Sequence, residues 1–186
     1  MTNEIRQILN ELNIDMKVAY IEGDNLMSRI EELQKNGEEF TNIDKEISLK
    51  DSGFPVLTAN AYLGAWGIKE ALDKGADIVV CPRVTDAAVV MGPAAWRFNW
   101  ERDDFDKLAG ALAAGHIIEC GCQATGGNYA FFEEVPSFEN VGFPIAEIQS
   151  DGSFFITKHP GTGGLVSVGT VTACLLYTSP SPRDTI

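Results

Sequence analysis

Positive charge is scarce in this chain. Lys and Arg number 14 against 27 Asp and Glu, and the formal net charge is -13. Phosphate backbones and anionic lipid surfaces attract cationic proteins, so nucleic-acid and membrane-surface roles are disfavoured. The same charge repels anionic small molecules at long range. An anionic ligand would need a local arrangement of amides, Arg and helix termini. Long apolar runs are missing too, since none approaches the ~20 residues of a membrane span. The opening MTNEIRQILNEL mixes charged with apolar residues and carries no signal-peptide core. The four cysteines, Cys81, Cys120, Cys122 and Cys174, form no disulfide framework, which fits a reducing compartment. The expected location is cytoplasmic. With 186 residues, 45% hydrophobic and 22% charged, the chain can bury the core of one ordinary domain.

Hydrophobic spacing organises the chain. Ile5, Ile8, Leu9 and Leu12 predict an amphipathic helix over residues 1–13. Residues 17–21, KVAYI, predict a strand. Asp24 is a good N-cap for a helix carrying Leu26, Ile30 and Leu33 and ending near Gly37. Residues 38–53 read as a polar surface loop, and 55–59, PVLTA, as the next strand. A helix follows Gly64 and stops at Gly75 as its C′ residue. Residues 76–81, ADIVVC, form the apolar run of a strand covered on both faces. Thr85 or Asp86 opens a helix through Met91, and another spans 103–116 with acidic residues at its start. Asp151-Gly152 between residues 146–148 and 154–157 signals a hairpin. Trp66 and Trp96 are expected in the core. Successive strand-helix units point to an α/β fold: a mostly parallel sheet with helices on both faces, truncated at both ends. Ligands in that architecture gather at the carboxyl ends of strands. The loops 22–24, 60–62 and 82–86 fall there.

Three constellations could carry chemistry. Arg83 offers a forked cation for carboxylate or phosphate. Asp86 beside it is an acid, base or ligand, or else a helix N-cap with Arg83 merely pairing a carboxylate. Asn60 and Tyr62 are polar pocket residues or ordinary strand-end groups. The second constellation is GHIIECGCQATGG, residues 115–127. His116 and Glu119 are three apart and share a helix face. Cys120 is a candidate nucleophile with His116 as base. Cys-X-Cys lacks the spacing of common zinc pairs, and no residue is assigned as a metal ligand. Gln123 and Thr125 precede Gly126 and Gly127, which makes the group an active-site loop candidate. The alternative is a buried Cys beside a helix-ending His. The third is HPGTGG, where Gly161, Thr162, Gly163 and Gly164 would present amides to an anion. The GKS or GKT ending of a P-loop is absent, and His159 is expected to be a loop residue.

In order and spacing, ANAYLGAWGIKEAL, ADIVVCPRVTDAA, GHIIECGCQATGG and HPGTGGLV resemble the acyclic terpene utilisation A (AtuA) family, over roughly residues 12–173. Asn60, Arg83, Asp86, His116, Glu119, Cys120, Gln123, Thr125, Gly126 and Gly127 occupy its recurrent motif positions. The resemblance implies a bacterial-type cytoplasmic protein linked to breakdown of acyclic terpenes such as citronellol and geraniol through acyl-CoA thioesters. No catalytic residue and no cofactor is carried over with it. His159 stands where the family commonly has proline. The family also begins earlier, with a glycine-rich strand-end loop. At the other end CLLYTSPSPRD, residues 174–184, translates in one frame the transposase end and adaptor of common sequencing libraries. Residues 1–173 are therefore read as a fragment of the family's domain, and 174–186 as a non-native tail.

The leading expectation is an enzyme or enzyme subunit acting on a CoA-linked or other anionic carbonyl compound of terpenoid or branched-acyl catabolism. Arg83 and the Gly-rich loops would hold the anion, with acid-base work by Asp86, His116 or Glu119. The alternatives are a metal-dependent hydrolase or lyase using His116, Glu119 and Asp86, and a non-catalytic subunit of a catabolic complex. The expected partner is a small-molecule substrate, with acyl-CoA the candidate and homo-oligomers allowed; neither nucleic acid nor membrane is expected.

Overall fold

A computed structural model describes residues 1–178. Helix α1, Thr2–Glu11, lies where the apolar spacing places it, but Ile8 and Leu12 stay exposed and none of its residues is fully buried. Strand β1, Val18–Tyr20, pairs in parallel with β2, Ile78–Val80. Between them run a 3-10 turn at Met27–Arg29, helix α2 at Ile30–Lys35, a short α3 at Leu49–Ser52, and α4 at Trp66–Asp73. Helix α5, Ala88–Arg97, and helix α6, Phe105–Cys120, come next. The antiparallel hairpin of β3, Pro144–Ile148, and β4, Phe154–Lys158, precedes α7, Val168–Thr178.

Helices and strands are mixed, as an α/β chain requires, but the expected mostly parallel sheet is not there. The described residues hold two separate two-stranded sheets, one parallel and one antiparallel. Residues 55–59 do not form a strand. Leu57 is almost fully exposed, and the segment's single ladder contact is the antiparallel bridge of Asn60 to Asn25. A strand is stabilised by its neighbours, and here there is no neighbour beyond one residue. For the same reason β2 is only half-buried along its length rather than covered on both faces.

Small residues bring the helices together. A Cβ on Gly92 of α5 would lie 2.6 Å from Ile68 of α4, and one on Gly115 of α6 would lie 2.9 Å from Ala87. Around those approaches sit three apolar clusters. Ala65, Ile68, Val84 and Ala88 form the first, and Ala94, Ala95, Trp100 and Ala111 the second. Ile117, Ala124 and Cys174 form the third. Full burial of a side chain the size of Ile117 contributes roughly 1.5–3 kcal/mol. The buried tryptophan is Trp100. Trp66 is half-buried beneath the Arg102 guanidinium, and Trp96 is 43% exposed, against expectation. Its place on α5 turns it outward, while Ala94 and Ala95 of the same helix face α6.

Helix α6 starts as its acidic residues predict. Asp104 accepts from the Glu101 amide at 2.9 Å and from Lys107 Nζ at 2.8 Å, and its carboxyl is held below the usual range chiefly by Lys107. Helix α5 begins slightly later than expected and runs on through Pro93. The carbonyl that the missing Pro93 amide would have served belongs to Val89, a residue half exposed to water. Helix α7 includes Cys174, whose side chain is fully buried, so the expected end of the native segment falls inside a helix. The remainder of the tail, 179–186, lies outside the described residues.

Candidate functional site

The two parallel strands end side by side, and Ile21 N–H extends their ladder to the Val80 carbonyl at 3.0 Å. The chain at residues 59–63 is then stitched between the loops that follow them. Leu26 N–H donates to Ala59 O at 2.9 Å and Ala61 N–H to Asp24 O at 2.7 Å. On the other side Leu63 N–H donates to Arg83 O at 3.0 Å, and Thr85 N–H to Leu63 O at 2.8 Å. The loops 22–24, 60–62 and 82–86 therefore meet at the carboxyl ends of β1 and β2, where an α/β protein presents ligands.

Asp24 is the hub of that meeting. Its Oδ2 accepts from Asn60 Nδ2 at 2.8 Å and from the Arg83 amide at 3.4 Å. Asn60 in turn accepts from the Thr58 hydroxyl at 3.0 Å. The Asn60 hydrogen bond holds the Asp24 carboxyl below its usual value. Such a group contributes its stabilisation above the ordinary carboxylate range, and loses it as pH falls through the depressed folded value. The carboxyl resonance of Asp24, followed by NMR, is expected to titrate below 3.8 and to return toward that value in Asn60→Ala. Identical titration in the two proteins would dissolve the hub.

Arg83 is pinned by its backbone on both sides, with its amide on Asp24 and its carbonyl accepting from Leu63. Its guanidinium lies 5.1 Å from the centre of the Tyr62 ring. The nearest carboxylate is Asp86, with one oxygen 3.7 Å from one guanidinium nitrogen, and both side chains are about half exposed. Among the described residues the guanidinium makes no hydrogen bond. A forked donor is thus held in place on an aromatic face with its N–H groups open.

The two glycine-rich segments meet each other instead. Thr125 is fully buried; its hydroxyl donates to Gly142 O at 2.7 Å and its carbonyl accepts from Leu165 N–H at 2.9 Å. Gly164 N–H donates to Ser137 O at 2.7 Å, and Gly163 N–H to Asn140 O at 3.0 Å. Thr162 N–H donates to His159 O, and Lys158 Nζ to Thr162 O at 2.7 Å. The amides of Thr125, Gly126 and Gly127 likewise serve Cys122 and Gln123 carbonyls within the turn. These groups form a clasp, in which Ser137, Asn140, Lys158 and residues 161–164 line a shallow hollow of about 370 Å³. In this conformation their amides point to protein carbonyls. Thr125→Val would keep the shape and strand the Gly142 carbonyl, so a loss of about 1–3 kcal/mol is expected in denaturant unfolding. A neutral substitution would show that Thr125 does not hold the clasp.

The sequence profile of a family described as acyclic terpene utilisation family protein AtuA matches residues 1–183. The chain belongs to the AtuA family. No curated protein and no solved structure matches it. The AtuA motif positions divide in space between these two assemblies. Asn60, Arg83 and Asp86 sit at the strand ends, while Gln123, Thr125, Gly126 and Gly127 belong to the clasp. No hydrogen bond among the described residues joins the two.

His116, Glu119 and Cys120 lie between them on the last turns of α6. His116 is half-buried, Glu119 is exposed, and its carboxylate lies 3.8 Å from the Cys120 thiol. Gly115 packs on Ala87, so α6 crosses the start of α5 one residue beyond Asp86 and one before His116. Burial and the neighbouring Cys120 push the Cys174 thiol up to about 12. Among the described residues no three His, Cys, Asp or Glu side chains are grouped closely enough to hold a metal ion, and His116, Glu119 and Asp86 form no such group. No described helix is long and apolar enough to cross a membrane.

Asp24 is the residue that sequence reasoning missed. It reads locally as a helix N-cap, yet its carboxylate binds groups 36 and 59 residues away. The usable signal is its position: it follows β1 directly, behind Gly23 at φ 113°.

Proposed function

We propose that this AtuA-family chain is an enzyme, or enzyme subunit, of acyclic terpenoid or branched-acyl breakdown that acts on an anionic carbonyl compound, CoA-linked or free. Arg83 holds the anion. Asp86, or His116 and Glu119 on the crossing helix, supply acid-base chemistry, which requires direct or one-water reach to the reacting proton. The observation that carries this reading is the open Arg83 guanidinium, fixed where three loops converge at parallel strand ends. An exposed arginine kept only for solubility has no need of backbone anchoring on both sides and an aromatic support.

A thermal-shift screen tests the reading with branched acyl-CoAs, free CoA, branched carboxylates and terpenoid acids. A ligand that binds only the folded state raises its melting temperature with the logarithm of occupancy. The expected result is a rise with at least one of these anions that disappears in Arg83→Gln. No rise with any of them would move the assignment to a non-catalytic subunit, to be sought by co-purification with carboxylase or hydratase partners.

A further inference from the structure

We infer that the Arg83 site selects a monoanionic carboxylate over phosphate groups, with Asp86 as an internal competitor that the ligand's carboxylate displaces. The inference rests on the reading of Arg83 as the anion-holding residue, and it names the chemical class held there.

Three observations carry it. The first is the backbone. Phosphate sites are built from free amides, in nests or at helix starts, because three charged oxygens need many donors. Here the amides of residues 83–85, and those of Ala61 and Leu63 beside them, are already spent. Those of Ala61, Leu63 and Thr85 serve Asp24, Arg83 and Leu63 carbonyls, the Val84 amide serves Pro82 O, and the Arg83 amide serves the Asp24 carboxylate. The Arg83 side chain offers one guanidinium fork, and a fork matches the two oxygens of a planar carboxylate.

Charge is the second observation. Arg83 is flanked by Asp24, held ionised by Asn60, and by Asp86. One cation among two carboxylates leaves the cluster negative before any ligand arrives. A carboxylate adds a single charge to that excess, whereas a phosphate dianion adds two.

The third is the pose of Asp86. It reaches Arg83 with one oxygen at 3.7 Å, beyond hydrogen-bond distance, from a half-exposed position three residues along the chain. That contact is weak enough for a bidentate carboxylate to displace. The exposed Tyr62 ring, and Val89 one turn beyond Asp86, offer apolar surface for the carbon body of such an acid. By this assignment, a CoA ester would engage Arg83 only through a second, free carboxylate on its acyl chain, and its phosphates would lie elsewhere.

Isothermal titration of the 186-residue chain with sodium 3-methylbutanoate, inorganic phosphate and free CoA at matched ionic strength is the test. The carboxylate is expected to bind about tenfold more tightly than phosphate or CoA, and Arg83→Lys, which keeps the charge and loses the fork, to weaken it about tenfold. Asp86→Asn removes the competitor and is expected to tighten carboxylate binding about threefold. Both side chains are exposed, and an unchanged circular dichroism spectrum confirms that the variants fold. Phosphate or CoA binding as tightly as the carboxylate, and still depending on Arg83, would overturn the selectivity while leaving Arg83 as an anion holder. Weaker carboxylate binding in Asp86→Asn would overturn the competitor role. If no probe binds, or binding ignores Arg83, the anion-holding reading falls as well.

Discussion

Replacement of Trp100 by alanine is expected to remove about 3–5 kcal/mol of unfolding free energy, a large share of what a small domain has. Trp100 is 1% exposed and stacks on Phe98 with ring centres 5.5 Å apart. Its Nε1 donates to Ser150 O at 2.9 Å, which ties the β3–β4 turn to the end of α5. Alanine would lose the ring's packing, leave a cavity among Ala94, Ala95 and Ala111, and release the turn. Trp100→Phe separates these effects. It keeps most of the apolar volume and loses the hydrogen bond, whose acceptor belongs to the exposed Ser150 and can turn to water. A loss of only about 1 kcal/mol is therefore expected for Phe. Urea unfolding of the two variants measures both, and equal losses would mean that the hydrogen bond, not the ring, carries the stability.

The second large effect comes from adding a single methyl group. A Cβ on Gly110 of α6 would land on the Gly152 carbonyl at the hairpin turn. Gly152 itself has φ 86°, a conformation that favours glycine, and its own Cα faces the backbone of Lys107. Both sides of this contact are main chain, so neither can rotate away. Alanine in mid-helix is intrinsically better than glycine by about 1 kcal/mol. The overpacking here should outweigh that gain and leave Gly110→Ala destabilised by about 2 kcal/mol net. Gly67→Ala in α4 is the control. There the nearest atoms to the new methyl belong to the Ile21 side chain, 3.2 Å away and free to adjust. A stable Gly110→Ala protein would mean that the hairpin sits farther from α6 than described. Trp100 and Gly110 seat the same hairpin, so the double variant should lose less than the two single losses combined.

These two residues also show which parts of the fold the sequence makes legible. Helix α6, the hairpin turn at Asp151-Gly152 and the stop of α4 at Gly75, with φ 77°, are local events driven by spacing, capping and glycine geometry. They lie where local rules place them, except that α6 runs a turn past its expected end at His116, to Cys120. What local rules do not specify is the partner of a strand. Residues 55–59 have strand composition, yet no neighbouring strand among the described residues faces them. The strand-helix order suggested one sheet, whereas among the described residues the hairpin strands pair with each other and pack on α6. The site divides in the same way. Arg83, Asp86 and Asn60 stand out because a charged or amide group after an apolar run is conspicuous. Asp24 does not, because a capping position explains it locally and its real partners are distant in the chain. The glycine-rich motifs are conspicuous too, but the Gly163 and Gly164 amides are taken by the Asn140 and Ser137 carbonyls, which no spacing rule would pair with them.

The three apolar clusters are strung along the chain and not gathered into one. Helix α5 contributes Ala88 to the first and Ala94 to the second, while α6 contributes Ala111 to the second and Ile117 to the third. These two helices therefore act as the spine that couples the clusters. Amide hydrogen exchange should follow that arrangement. The mid-helix amides of α5 and α6 should be the last to exchange, opening only when the whole molecule does. Those of α1, which buries no residue, should be among the first. The loops around Arg83 take their anchor, Val84, from the first cluster, whereas the hairpin is seated on the second.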